Sequence, residues 1–309
     1  MNTAAKLGVY TLGLAVAFGG AIGIGKIVGP VGAEADTGGH GGHGGGSGHA
    51  HTGAAIPGGL QVSQNGYTLS PLQTTVKPGE LTDFRFTIKG PDGKPVTRFK
   101  PLHGKRLHLI IARRDLSGFQ HLHPEQLGGG VWAIALVLPK PGAYRFFTDI
   151  QPVGAKEQLT LGTDIIAPGE FQPEPLPQPE QAAFVDGYEV TLAGGLAPGK
   201  TSKLTLTVSK GGQPVRDLEV YLEAYGHLVA LRSGDMAYLH VHPDGDPGDG
   251  KTRPGPEITF YAEAPSGGAY RLYLDFQHEG KVRTAEFTVY AGASGVPVET
   301  PGDGHTHTH

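Results

Sequence analysis

The chain has 309 residues, a formal net charge of −4 and no cysteine. That is long enough for two ordinary domains, and it excludes disulfides, thiolate metal ligands and cysteine nucleophiles. Glycine (51) and proline (25) are too frequent for a compact helical protein, and no basic run marks a nucleic-acid surface.

Residues 1–32 are the only long apolar stretch. Leu7 to Gly25 is 19 residues without a charge, between Lys6 and Lys26, just enough to span a bilayer as a helix. Two readings stand: an uncleaved transmembrane anchor, or a signal peptide cleaved after Ala33-Glu34-Ala35. The length of the run favours the anchor. Either reading places the rest outside the cytoplasm, held at the cell envelope or secreted. Residues 33–59 centre on HGGHGGGSGHAH, a composition that cannot bury a core and reads as a flexible linker.

Two repeats follow, over residues 60–167 and 184–291. Gly66-Tyr67 matches Gly187-Tyr188, Pro78-Gly79 matches Pro198-Gly199, Gly93 to Val96 matches Gly212 to Val215, and Gly142-Ala143-Tyr144-Arg145 matches Gly268-Ala269-Tyr270-Arg271. Landmarks kept in step over this distance mark an internal duplication. Within each repeat, short alternating segments such as LTDFRFTIK, RLHLIIARR and AYRFFTDI, then TSKLTLTVSK, LEVYLEAY and AYRLYLDFQ, are separated by PG, DG and GG turns. These are strand and turn signals. About seven short strands in ~100 residues predict an immunoglobulin-like sandwich. Tyr144 and Tyr270, at the start of late strands, sit where that fold places its tyrosine corner. Residues 168–183, PGEFQPEPLPQPEQAA, read as a proline-rich interdomain spacer, and residues 292–309 as a polar tail.

The histidines carry the functional signal. Seven of the fifteen lie in the tails: His40, His43, His49, His51, His305, His307 and His309. In flexible polar sequence they suit weak capture of Cu(II), Ni(II) or Zn(II). The repeats hold the rest, and three in each recur at one spacing: His108, His121 and His123, then His227, His240 and His242, both ending in H-x-H-P. H-x-H on a strand puts both rings on one face. If the preceding strand pairs through a loop with an even number of residues, His108 shares that face with His121 and His123, and likewise in the second repeat. Three imidazoles on one face make a first shell for Cu(II) or Zn(II). His103 in the first repeat and His278 in the second are candidate fourth ligands. Asp149 and Asp275 recur beside the clusters as ligands or as acceptors that orient a ring. The competing reading is structural: Ile110, Ala112 and Phe119 share the parity of the rings, so that face could be a sandwich interior. Met1 and Met236 are the only methionines; Met236 reads as core, and with so few thioethers copper would bind as Cu(II).

On these residues, above all H-x-H-P in each cysteine-free β-repeat, the chain resembles the CopC/YtkA-like extracytoplasmic copper-handling proteins over residues 60–167 and 185–291. It lacks their methionine-rich loop. With the N-terminal run read as a transmembrane helix, the resemblance makes the expected fold two tandem CopC-like immunoglobulin-like sandwiches and implies copper binding or delivery at the cell envelope. It also implies a non-enzymatic protein that sequesters copper(II), with zinc(II) second, or delivers it to an envelope metal transporter or chaperone. No nucleophile–base pair, H-E-x-x-H or G-x-S-x-G points to catalysis. The alternative is a structural or partner-binding envelope protein whose repeat histidines do not meet a metal.

Overall fold

The computed structural model describes residues 56–292, apart from the side chains of His240 and His242. The expected anchor over residues 1–32, most of the 33–59 linker and the histidine tails lie outside the described residues. Among the described residues no helix is long and apolar enough to cross a membrane.

The first repeat contributes strands β1 (Ser63–Gln64), β2 (Tyr67–Pro71), β3 (Thr82–Lys89), β4 (Phe99–Lys100), β5 (Leu107–Arg113), β6 (Gln120–Leu122), β7 (Glu125–Gln126), β8 (Val131–Leu136), β9 (Gly142–Pro152) and β10 (Leu159–Ala167). They form two sheets, β1-β2-β3-β8-β7 and β10-β9-β5-β6, with β4 on β9. The second repeat contributes β11 (Ala182–Val185), β12 (Tyr188–Gly194), β13 (Thr201–Lys210), β14 (Gln213–Pro214), β15 (His227–Arg232), β16 (His240–Pro243), β17 (Glu257–Glu263), β18 (Gly268–His278) and β19 (Lys281–Ala291). Its sheets are β11-β12-β13-β17-β16, with β14 on β13, and β15-β18-β19. Every strand pair is antiparallel. Each repeat is thus a two-sheet all-β sandwich.

Local sequence explains the shared start of both repeats. Asn65-Gly66 and Asp186-Gly187 close the β1–β2 and β11–β12 hairpins with positive φ at all four residues (52°, 81°, 48° and 80°). Asn-Gly and Asp-Gly tolerate that conformation better than other pairs. The tyrosine corners are present too: Tyr144 Oη donates to Lys140 O at 2.9 Å and Tyr270 Oη to Ser266 O at 2.8 Å.

Each sandwich has its own core. In the first, Leu107, Leu109, Ile111, Phe146 and Ile150 face Phe84, Phe86 and Trp132. In the second, Leu228, Ala230, Leu272, Leu274 and Phe276 face Leu204, Leu206 and Phe260. A third cluster, Ile110, Ala112, Leu116 and Phe147 with Val229, Leu231, Met236 and Tyr273, lies between the repeats. Alternation along the strands explains it. Odd positions of β5 enter the first core while even positions face the second repeat, so every residue of β5 is buried. The parity face is therefore not a sandwich interior. It is the outer face of one sandwich covered by the other, and Met236 is buried there as expected of a core residue.

This contact is nearly two-fold symmetric. Phe119 stacks on Tyr273 with ring centroids 4.0 Å apart, and the corresponding residues of the opposite repeats, Tyr238 and Phe147, lie 5.7 Å apart. Tyr273 Oη donates to Leu116 O across the contact at 2.5 Å. The flanking segments are pinned as well. Arg145 Nη2 donates to Gly59 O at 2.6 Å while Tyr238 N donates to Gly58 O at 3.0 Å, so Gly58 and Gly59 belong to the fold and not to a linker. Glu174, in the proline-rich spacer, accepts from Arg113 at 2.9 Å and Lys140 at 2.7 Å.

Two local expectations are corrected. The segment 218–225, read as a strand, instead makes a tight turn. Tyr221 and Ala224 exchange backbone hydrogen bonds, and Leu222 and Glu223 have φ of 51° and 64°, which no strand accommodates. The second H-x-H segment, β16, starts on the expected hairpin, since Leu239 N donates to Ala230 O, but then pairs with β17, with His240 opposite Glu263.

A candidate metal centre between the two sandwiches

β5 and β6 set the site. Ile110 lies opposite His121 and Leu109 opposite Leu122, so His108, His121 and His123 project from one face, as parity requires. Their ring centroids are 4.9 to 5.3 Å apart, and one nitrogen from each lies within 4.8 Å of the other two. The convergent atoms are His108 Nδ1, His121 Nε2 and His123 Nε2. His108 Nδ1 is 3.0 Å from His121 Nε2 and 3.2 Å from His123 Nε2.

The opposite nitrogens fix the tautomers. His108 Nε2–H donates to Leu102 O at 2.8 Å. His121 Nδ1–H donates to Asp275 Oδ2 at 2.7 Å, with both side chains almost fully buried (6% and 4% exposed). Asp275 comes from the second sandwich, where Thr284 Oγ1 also donates to it at 2.6 Å. With those protons placed, His108 Nδ1 and His121 Nε2 both present lone pairs, and two acceptors face each other at 3.0 Å. Such a contact is repulsive unless a cation lies between them. A metal about 2.0–2.1 Å from each nitrogen would separate them by about 2.9 Å at a right angle or about 3.3 Å at a tetrahedral angle. A bridging proton is the other candidate: carried by His121 against the Asp275 carboxylate, it would be donated to His108, while His108 and His123 are themselves poor places for it. Burial pushes His108 down to about 3, despite the Leu102 carbonyl, and burial with the neighbouring imidazoles pushes His123 to about 3.

The second repeat supplies one more ring. His227 Nε2–H donates to Tyr221 O at 2.8 Å, as His108 does to Leu102 O, and burial pushes it down to about 4. Its ring centroid lies 6.3 Å from that of His121 and 5.3 Å from that of His103. His103 sits in the tight turn between Leu102 and Lys105, with φ 46°. A cavity of about 90 Å³ beside the triad is walled by His103, His108, His121, His227, Asp149 and Tyr238, among others. Asp149 accepts from Gln158 at 2.7 Å and Thr160 at 3.1 Å. It stands outside the convergent group.

His278 is not brought to the centre. It lies three positions beyond Asp275 on β18, on the opposite face, where Tyr188 Oη meets its Nδ1 at 2.8 Å and its Nε2 meets Asp217 at 3.2 Å. The side chains of His240 and His242, and the seven tail histidines, lie outside the described residues. The sequence reading gave no sign of three further contributors: the Leu102 and Tyr221 carbonyls, and the crossing of Asp275 to the other repeat's histidine. The continuous apolar run of β5, with no solvent-facing position, was the available signal that a second surface covers it.

No curated protein matches the chain in sequence. Among solved structures, it is similar to the Escherichia coli adhesin FdeC at 14% identity, over 75% of this chain and 65% of that one, with a TM-score of 0.24. It is similar to E. coli alpha-2-macroglobulin at 14% identity, over 76% and 14% of the two chains, with a TM-score of 0.25. To a putative membrane anchored protein from Corynebacterium diphtheriae the values are 10%, 76% and 60%, with a TM-score of 0.22. The chain spans less than two-thirds of each of these three. One family model matches both repeats, over residues 61–165 and 183–293, and the chain therefore belongs to the family described as a domain of unknown function (DUF8832), of which it carries two copies.

Proposed function

We propose that this is an extracytoplasmic metal-binding protein that holds copper(II), and with lower preference zinc(II), at the His108–His121–His123 centre, to sequester the ion or hand it to an envelope metal transporter or chaperone. The observation that carries this reading is the approach of His108 Nδ1 to His121 Nε2 at 3.0 Å, a separation that two nitrogen ligands of one metal ion would adopt. The donor set fits the ion. All three donors are imidazole, the two outer nitrogens are anchored on a carbonyl and a carboxylate in the manner of metal-bound histidines, and nitrogen sites favour Cu(II) over Zn(II). The rest of the reading comes from sequence: the uncharged segment Leu7 to Gly25 puts the chain at the cell envelope, by anchor or by secretion, and H-x-H-P in both repeats gives the likeness to CopC-like immunoglobulin-like copper proteins. The tails would collect metal weakly, and a second centre of His227, His240 and His242 would complete the duplication.

The test is calorimetric titration of Cu(II) and Zn(II) into the full chain with its seven tail histidines replaced by serine. Binding that is lost in His121→Ala supports the centre. No binding would leave the repeat histidines as hydrogen-bonded interface residues, the role that the buried His121–Asp275 pair also fits, and would make the protein a structural or partner-binding envelope component.

A further inference from the structure

The centre is built from one sandwich, yet its geometry depends on the other. Asp275 belongs to β18 of the second repeat and holds Nδ1–H of His121 at 2.7 Å, which turns Nε2 of that ring toward the other two. We propose that the metal centre is an interdomain latch, in which Asp275 is the positioning residue that links metal occupancy to docking of the two sandwiches. The inference rests on the metal reading above and adds the linkage to it.

Three features support the latch. First, the Asp275 carboxylate is itself held: Thr284 takes Oδ1 at 2.6 Å, leaving Oδ2 for His121. The carboxylate therefore reports where the second sandwich is, with little freedom of its own. Second, the centre adjoins the apolar contact. His108 and Ile110 alternate on one face of β5, and Tyr273 and Asp275 on one face of β18, so sliding the sandwiches apart moves Asp275 and Tyr273 together. Third, the ring that Asp275 faces within its own sheet is His227, yet the histidine it binds belongs to the other repeat. A carboxylate accepting from a ligating imidazole fixes the ring and raises its basicity, and losing it weakens metal binding about ten- to hundred-fold. Coupling of this kind is reciprocal: whatever docking contributes to metal affinity, metal returns to docking.

The experiment uses the full chain with its tail histidines replaced by serine, titrated with Cu(II) and Zn(II) against a competing chelator, with Cu(II) paramagnetic resonance and amide hydrogen exchange as further readouts. Asp275→Ala is expected to weaken binding about ten- to hundred-fold and to change the copper hyperfine coupling. Asp275→Asn, which keeps an acceptor and the fold, should fall between Ala and the parent. Tyr273→Phe, which removes the hydrogen bond to Leu116 O and touches none of the three ligand rings, should weaken binding several-fold through docking, whereas Tyr144→Phe, which removes a comparable hydrogen bond inside the first sandwich, should leave it unchanged. Zinc should raise amide protection at Leu116 and Tyr273 in the parent and not in Asp275→Ala. If the parent binds and the Asp275 variants match its affinity and spectrum, the latch is overturned while the centre stands. If the parent binds no metal, both fall.

Discussion

Lowering the pH of the metal-free protein from 7.5 to 5.0 should destabilise it through its buried imidazoles. His108 is 5% exposed and burial holds it at about 3, against roughly 6.5 in an unfolded chain. The folded state therefore binds fewer protons than the unfolded state between these values. Stability from this group is fully present above about pH 6.5 and declines as pH falls toward 3. At pH 5 protonation stabilises the unfolded ring by about 1.5 pH units' worth of free energy that the folded ring does not share, or about 2 kcal/mol at 1.36 kcal/mol per unit. His227, held at about 4, acts in the same direction, and because the rings share a cluster the two contributions are less than additive. Carboxylates held low by their partners, such as Asp115 at about 2, lose their contribution only below about pH 4, so the window from 6.5 to 5 isolates the histidines. The assay is urea unfolding in EDTA at several pH values, with the tail histidines replaced by serine, comparing parent with His108→Gln. The parent midpoint should fall steadily below pH 6.5, and the variant's slope should be shallower whatever its absolute stability. A midpoint that stays constant from pH 7.5 to 5, or equal slopes in the two proteins, would refute the assignment of a buried neutral His108.

Two further outcomes are expected. Tyr273→Phe removes the 2.5 Å hydrogen bond to Leu116 O across the sandwiches and should cost about 1–2 kcal/mol, seen in calorimetry as separation of a single melting transition into two. Arg113→Met strips a buried partner from Asp115 (side chains 2% and 7% exposed, 2.6 Å apart) and should cost about 3–5 kcal/mol at neutral pH. Burial pushes that carboxyl up, and Arg113 together with hydrogen bonds from Glu174 N and Ser117 more than offsets it, so the loss should shrink at pH 3, and an unchanged loss there would argue against an uncompensated charge.

The duplication, the all-β character and the shared face of His108, His121 and His123 were legible because they depend on spacing and on the two-residue period of a strand. The identity of that face was not. Parity tells which residues share a side and is silent on what covers it, and Ile110, Ala112 and Phe119 fit a sandwich interior as well as a docked exterior. Pairing of His121 with Asp275, 154 positions away, depends on how two complete sandwiches meet, which no local pattern encodes. The departure of β16 from its hairpin to β17 and the turn at Leu222-Glu223 were hidden for another reason. The first follows pairing with a distant strand and the second a locally closed turn, and strand propensity yields readily to such context. His278 was misassigned by likeness of residue type, although its even position on β18 already set it on the core side.

The near two-fold contact has a consequence for how such a chain arises. Phe119 on Tyr273 and Tyr238 beside Phe147 are one pairing met twice, which is the signature of an isologous surface, the kind on which two identical subunits form a closed dimer. A single repeat carrying that surface would meet its own copy in solution at a rate set by its concentration. Joined through residues 168–183, the two halves meet at the high effective concentration that a short tether imposes, and they no longer need to be the same. One half keeps His103 where the other has Leu222, and their H-x-H strands pair with different neighbours. Within one chain the two surfaces are free to differ, each still obliged to fit the other.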